Sequence, residues 1–153
     1  MTDTLLALDP GTKCGYALGG AGLPMVSGVF DLAPGKFDGG GMRFIRLLES
    51  LDRMHLSCGG IDKVYFEAVR RHKGTDAAHV YGGLMAHIQS WCERNEVPYE
   101  GVPVQAIKKF ATGKGNAPKA LVMAAVVAWG YAPRDDNEAD AIALLKFKLS
   151  ENP

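Results

Sequence analysis

Asp9 and Glu67 each close a short apolar run, and Asp140 lies early in a helical pattern that is otherwise apolar on its face. A carboxylate at the end of a buried strand is unfavourable unless it is ion-paired, hydrogen-bonded or metal-bound. If residues 4–9 (TLLALD) and 61–67 (IDKVYFE) are neighbouring strands, both carboxylates leave the sheet at one edge, where open α/β sheets bind ligands. A helix crossing that edge adds Asp140, with Asp136 or Asn137 one turn earlier near the same face. Such a set of hard oxygen ligands suits Mg²⁺ or Mn²⁺. Two such ions about 3.5–4 Å apart can activate a water and stabilise the leaving oxygen in phosphodiester hydrolysis.

Charge placement supports a phosphate partner although the formal net charge is +0. Residues 68–134 carry nine Lys/Arg against four acids, and the next six residues reverse the balance with Asp135, Asp136, Glu138 and Asp140. A metal site beside a phosphate-binding face accounts for both halves. An acid-rich helix start that favours the helix dipole accounts for the second half alone. Arg70, Arg71, His72 and Lys73 directly follow the strand ending at Glu67, so they would overhang the acids and could hold phosphates. His79 and His87 sit in a helical segment and read as packing or surface residues, so no histidine metal site is expected.

The elements that must position these residues follow from hydrophobic periodicity. Residues 4–9 and 14–18 form a hairpin around the turn Pro10-Gly11-Thr12, residues 25–32 a third strand, and residues 33–41 (APGKFDGGG) a glycine-rich connection expected to be mobile. Phe44, Leu47, Leu48, Leu51 and Met54 recur at helical spacing across 42–56, which is followed by the strand 61–67. A long helix over 76–94, a strand at 98–102, a helix over 104–111 and the basic loop 112–118 come next, then helices over 119–129 and 137–149. This order describes an α/β layer with a mixed sheet. At 153 residues and 47% hydrophobic content, one domain spanning 1–153 is the expectation. Residues 120–127 are apolar on nearly all sides, so that helix needs a second cover, a partner subunit being one candidate.

Cys14, Cys58 and Cys92 are odd in number and widely spaced, which indicates neither a disulfide framework nor a zinc knuckle. The longest apolar stretch, 120–129, is far short of a membrane span. A cytoplasmic protein is expected.

The blocks that carry the acids resemble a known family. LALDPGTKCGYAL is similar to the opening hairpin of RuvC-type Holliday junction resolvases, VYFEAV to their second acidic strand, and DDNEADAIAL to their closing acidic helix. VQAIKKFATGKGNAPKA resembles the stretch in which two lysines serve DNA binding and catalysis, here Lys108 and Lys119. The four blocks stand in family order from about residue 4 to residue 145.

The resemblance implies a ribonuclease-H-like three-layer α/β fold, with a central mixed five-stranded sheet flanked by helices. It further implies a bacterial or bacteriophage-type homodimer that nicks four-way junctions symmetrically from a two-metal site holding Mg²⁺, with Mn²⁺ as substitute. The ligands carried over are Asp9, Glu67 and Asp140, with the fourth left between Asp136 and Asn137. The family has Asp or His three residues before the last acid, where this chain has Asn137. Lys119 would stabilise charge near the scissile phosphate, while Arg70, Arg71, Lys73, Lys108 and Lys114 hold the DNA backbone. Other readings are a non-catalytic module that holds branched DNA, and a flap or hybrid nuclease of the same fold. The DPGT turn also opens the phosphate-binding hairpin of actin-like ATPases and sugar kinases, which need two such domains and an adenosine pocket.

Overall fold

A computed structural model of the chain describes residues 2–70, 72 and 74–151. Arg71 and Lys73, two of the expected phosphate-holding residues, lie outside the described residues. Strands β1 (Leu5–Asp9), β2 (Lys13–Gly19) and β3 (Val26–Asp31) form an antiparallel meander. Helix α1 (Met42–Ser57) follows, then β4 (Lys63–Ala68), α2 (Thr75–Arg94), β5 (Tyr99–Pro103), α3 (Val104–Thr112), α4 (Lys119–Ala128) and α5 (Asp136–Glu151). The strands align as β3-β2-β1-β4-β5, with β4 parallel to both β1 and β5. Every expected element is present, with ends displaced by one or two residues where helices and strands fray.

The sheet is buried on both faces, and the alternation of β1 shows how. Leu6 and Leu8 point into a core shared with Leu47 and Leu51 of α1 and with Leu84, Ile88 and Trp91 of α2. Leu5 and Ala7 point the other way, against Ile107, Val122, Val126 and the α5 run Ala141–Leu145. Three layers result, α1 and α2 on one side and α3, α4 and α5 on the other. The apolar stripe of α2 thus belongs to the core. In α4, Val122 and Val126 are buried while Leu121 and Val127 stay about half exposed, so the chain's own core covers one side of that helix.

Because β1, β4 and β5 are parallel and β2 and β3 join through a hairpin, one edge of the sheet collects the ends of β1, β3, β4 and β5 and the start of β2. Asp9 and Glu67 lie there. The connection 33–41 leaves the same edge and carries hydrogen bonds to the next helix. Arg46 donates to the Ala33 carbonyl and to the Asp38 carboxylate, which also accepts the Gly35 N–H. Among the described residues no helix is long and apolar enough to cross a membrane.

Candidate metal centre and nucleic-acid face

Asp9 is the last residue of β1, and the parallel pairing Leu8 to Phe66 brings Glu67 beside it from β4. Tyr81 of α2 holds the exit of β4. Its hydroxyl donates to the Glu67 carbonyl at 2.9 Å and accepts the Val69 N–H at 3.0 Å. Asp140 arrives from α5, whose first turn is pressed onto the hairpin. Gly15 faces Asp9 across that hairpin, and a Cβ on Gly15 would stand 1.9 Å from the Asn137 carbonyl oxygen. Only glycine permits that approach.

The remaining acids of the segment 135–140 fix the helix. Asp135 accepts the Glu138 N–H at 2.9 Å and caps the first turn of α5. Glu138, almost fully buried, takes the Ser27 hydroxyl at 2.7 Å and the Arg134 N–H at 2.9 Å, pinning the helix start to β3. Asp136 pairs with Lys119 Nζ at 2.9 Å, which lowers the carboxyl pKa and raises that of the ammonium. Neither Gly15 nor Glu138 nor Tyr81 was singled out as functional from the sequence. The one available signal was glycine inside a strand, which marks close approach by another backbone.

One carboxylate oxygen each from Asp9, Glu67 and Asp140 can be chosen so that all three lie within 4.8 Å of one another. Among the described residues this is the one such group of metal-ligating side chains. Burial, then the adjacent Glu67 and the charge of Asp140, push the Asp9 carboxyl well above the usual range, with Lys119 opposing. Asp140 is pushed up to about 7 by burial, then by Glu67 and Asp136, against Lys119 and Lys108. Carboxylates crowded this closely, and only partly offset by two lysines at the margin, fit a divalent cation in chemistry and in number of hard oxygen donors.

The structure therefore brings together Asp9, Glu67 and Asp140, with Lys119 and Lys108 close enough for their charges to act on the group. Asp136 stands outside the group of three, its carboxylate taken by Lys119, and the Asn137 amide reaches Asp135 at 3.4 Å. Lys114 sits on the exposed turn between α3 and α4. Arg70 is exposed just beyond β4 and borders an open groove of about 800 Å³ with Gly101, Pro103 and Gln105. His87 stacks on Phe44 and bonds to the Gly83 carbonyl, a packing role, and His79 is exposed.

The mixed five-stranded sheet in the order β3-β2-β1-β4-β5, flanked by five helices, is the ribonuclease-H-like fold. Within that class the chain matches the RuvC arrangement. Thermus thermophilus RuvC aligns with a TM-score of 0.75 and 19% identity over 94% of this chain and 92% of its own. The T. thermophilus RuvC in complex with a Holliday junction substrate gives 0.79 and 19% over 95% and 92%. The yeast mitochondrial Holliday junction resolvase Ydc2 gives 0.63 and 11% over 96% and 79%. No family model and no curated protein matches the sequence.

Proposed function

We propose that residues 1–153 form a single RuvC-like nuclease domain, a structure-selective endodeoxyribonuclease that resolves Holliday junctions or related branched DNA by paired nicks within a homodimer. The observation that carries this reading is the convergence of Asp9, Glu67 and Asp140 within 4.8 Å at the open sheet edge of a RuvC fold. These three would hold divalent metal, with Asp136 or Asn137 completing the set. When bound, a pair of Mg²⁺ ions, or Mn²⁺ in their place, supplies an activated water and a counter-charge for the leaving oxygen.

The chain's own residues do the positioning. Tyr81 fixes the strand end behind Glu67, and Gly15 with Glu138 fixes the helix that carries Asp140. Asp136 orients Lys119, whose ammonium would lie against the scissile phosphate. Lys108, Lys114, Arg70, Arg71 and Lys73 would hold backbone phosphates on either side. Phosphate contacts carry no sequence information directly, so recognition rests on the shape of the branch.

The test compares binding and cleavage of four-way junctions, flaps, RNA–DNA hybrids and linear duplex, each with Mg²⁺, with Mn²⁺ and with EDTA. Paired nicks confined to junctions in Mg²⁺ support the reading. Junction binding without cutting in either Mg²⁺ or Mn²⁺ would instead make the chain a binding module, and preferential cutting of flaps or hybrids would reassign the substrate.

A further inference from the structure

Phe37 is 94% exposed, the most exposed large hydrophobic side chain among the described residues. The backbone that carries it is hydrogen-bonded into a turn. The Asp38 N–H donates to the Gly35 carbonyl at 3.0 Å, closing a turn whose two corner residues are Lys36 and Phe37. The Asp38 side chain locks that turn from below, accepting the Gly35 N–H at 2.7 Å and pairing with Arg46 of α1. Arg46 in turn holds the Ala33 carbonyl at 3.1 Å. A solvent-facing ring on a loop with this many anchors is presented rather than tucked away. No side chain crowds the loop's far arm, which is Gly39, Gly40 and Gly41.

The turn follows the end of β3 at the sheet edge that bears the acids and is tied back to Ala33 there through Arg46. Lys13 at the start of β2 pairs with Asp31 at the end of β3, and the Leu32 N–H donates to the carbonyl of Thr12 in the turn after Asp9. The ends of β1 and β3 are two strand spacings apart, about 10 Å. Lys108 and Lys119 belong to the α3–α5 layer, whereas the Phe37 turn leads into α1 in the other layer. The lysines and the Phe37 turn thus belong to opposite layers of the sheet, and a branched substrate that covers the carboxylates and extends past β3 would reach both.

Resting on the resolvase reading, we infer that Phe37 stacks on an unstacked base at the branch point, with Lys36 against the neighbouring phosphate. The Lys36 ammonium lies 5.6 Å from the centre of the ring, so the tip offers an apolar face and a cation together. That combination fits nucleic acid with an open base face. A continuous duplex shows no free base faces, whereas a junction can unstack bases where its strands cross. A second copy of the chain fits the same tip less well. One ring supplies roughly 200 Å², against the ~1,000 Å² or more of a specific protein interface, and the adjoining cation and glycines add little apolar area.

The experiment uses the full chain in EDTA, with a four-way junction carrying 2-aminopurine at the branch point and a linear duplex of the same sequence. Wild-type protein should brighten the 2-aminopurine and prefer the junction. Phe37→Ala should bind the junction about tenfold more weakly and lose the brightening. Its duplex affinity, salt dependence and thermal midpoint should stay at wild-type values, because the ring is exposed and uncharged. Phe37→Trp should restore both affinity and brightening. Unchanged junction affinity in Phe37→Ala, or equal weakening on duplex and junction, would overturn the inference while leaving the resolvase reading intact. A shift of Phe37→Ala from dimer to monomer in sedimentation would overturn it in favour of a contact between copies. A wild-type protein with no preference for the junction would overturn the resolvase reading and this inference with it, and that arm is read before any substitution.

Discussion

Replacing Asp140 by Asn should make the metal-free protein more stable at pH 8 while removing nicking. The Asp140 carboxyl is displaced from an ordinary 3.8 to about 7 by burial and by Glu67 and Asp136. The folded state therefore keeps a proton that the unfolded chain has already lost, and between these two values stability falls as pH rises. At about 1.36 kcal/mol per tenfold change in proton affinity, the loss reaches a ceiling of roughly 4 kcal/mol by pH 8, with less than half of it incurred at pH 5. An asparagine in the same place still needs hydrogen bonds, so a gain of about 2 kcal/mol at pH 8 and under about 1 kcal/mol at pH 5 is expected. For a chain of this length, ~2 kcal/mol raises the melting temperature by roughly 4–8 °C. Thermal unfolding in EDTA at both pH values measures this. Saturating Mg²⁺ should stabilise the wild type at pH 8 more than the variant, since the carboxylates then have a cation. Equal stability of the two proteins at pH 8 in EDTA, or a gain of the same size at pH 5, would refute the electrostatic account of the cluster.

The other predictions concern the chemistry and its supports. Asp9→Asn, Glu67→Gln and Asp140→Asn should each lower nicking by more than the roughly 10–100-fold typical of losing a supporting outer group, and gel-shift assays should show junction binding retained. Mg²⁺ or Mn²⁺ should support cutting, Ca²⁺ should permit binding without efficient cutting, and metal-free reagents with EDTA should abolish hydrolysis; cutting that persists there excludes the metal reading. Lys108→Ala and Arg70→Ala should weaken binding to junctions of different sequence alike and reduce the log–log salt slope by about 0.9 each, whereas an effect confined to one sequence would mean base readout. Gly15→Ala should force the first turn of α5 away from the hairpin, lowering nicking by about 100-fold and stability by about 1–3 kcal/mol; wild-type turnover would show that the helix can shift without moving Asp140.

The fold was largely legible because its signals are local. Strands buried on both faces read as continuous apolar runs, and TLLALD and KVYFE do so because each has a helical layer above and below. The amphipathic spacing of α1 and α2 was equally clear. The anchoring of the connection 33–41 was not legible for a physical reason. Glycine content reports backbone freedom, but the bonds that remove it come from Arg46, eight residues beyond Asp38 in the next helix. A window that sees only the loop does not contain its anchor. In the same way, the apolar positions of α2 show that one face of the helix is covered but not by what, and only the presence of α1 and the sheet beside it decides.

The acidic segment 135–140 shows why composition located the site but did not assign its members. Four carboxylates in six residues meet four different environments because the helix start rotates by about 100° per residue, which separates their directions. Asp135 caps the helix, Asp136 reaches Lys119, Glu138 faces Ser27 on β3, and Asp140 faces Asp9 and Glu67. The dipole-favouring helix start and a member of the carboxylate cluster are thus both present, on different residues of one turn and a half. Their roles depend on each other. Glu138 and Gly15 set how closely α5 meets the hairpin, and that closeness gives Asp140 its crowded surroundings and its raised pKa. If either support were loosened, the carboxylates could separate, the repulsion would fall, and the affinity for a divalent cation would fall with it. In the metal-free fold this contact combines packing that stabilises with crowding of carboxylates that destabilises, and Gly15→Ala disturbs the first whereas Asp140→Asn relieves the second.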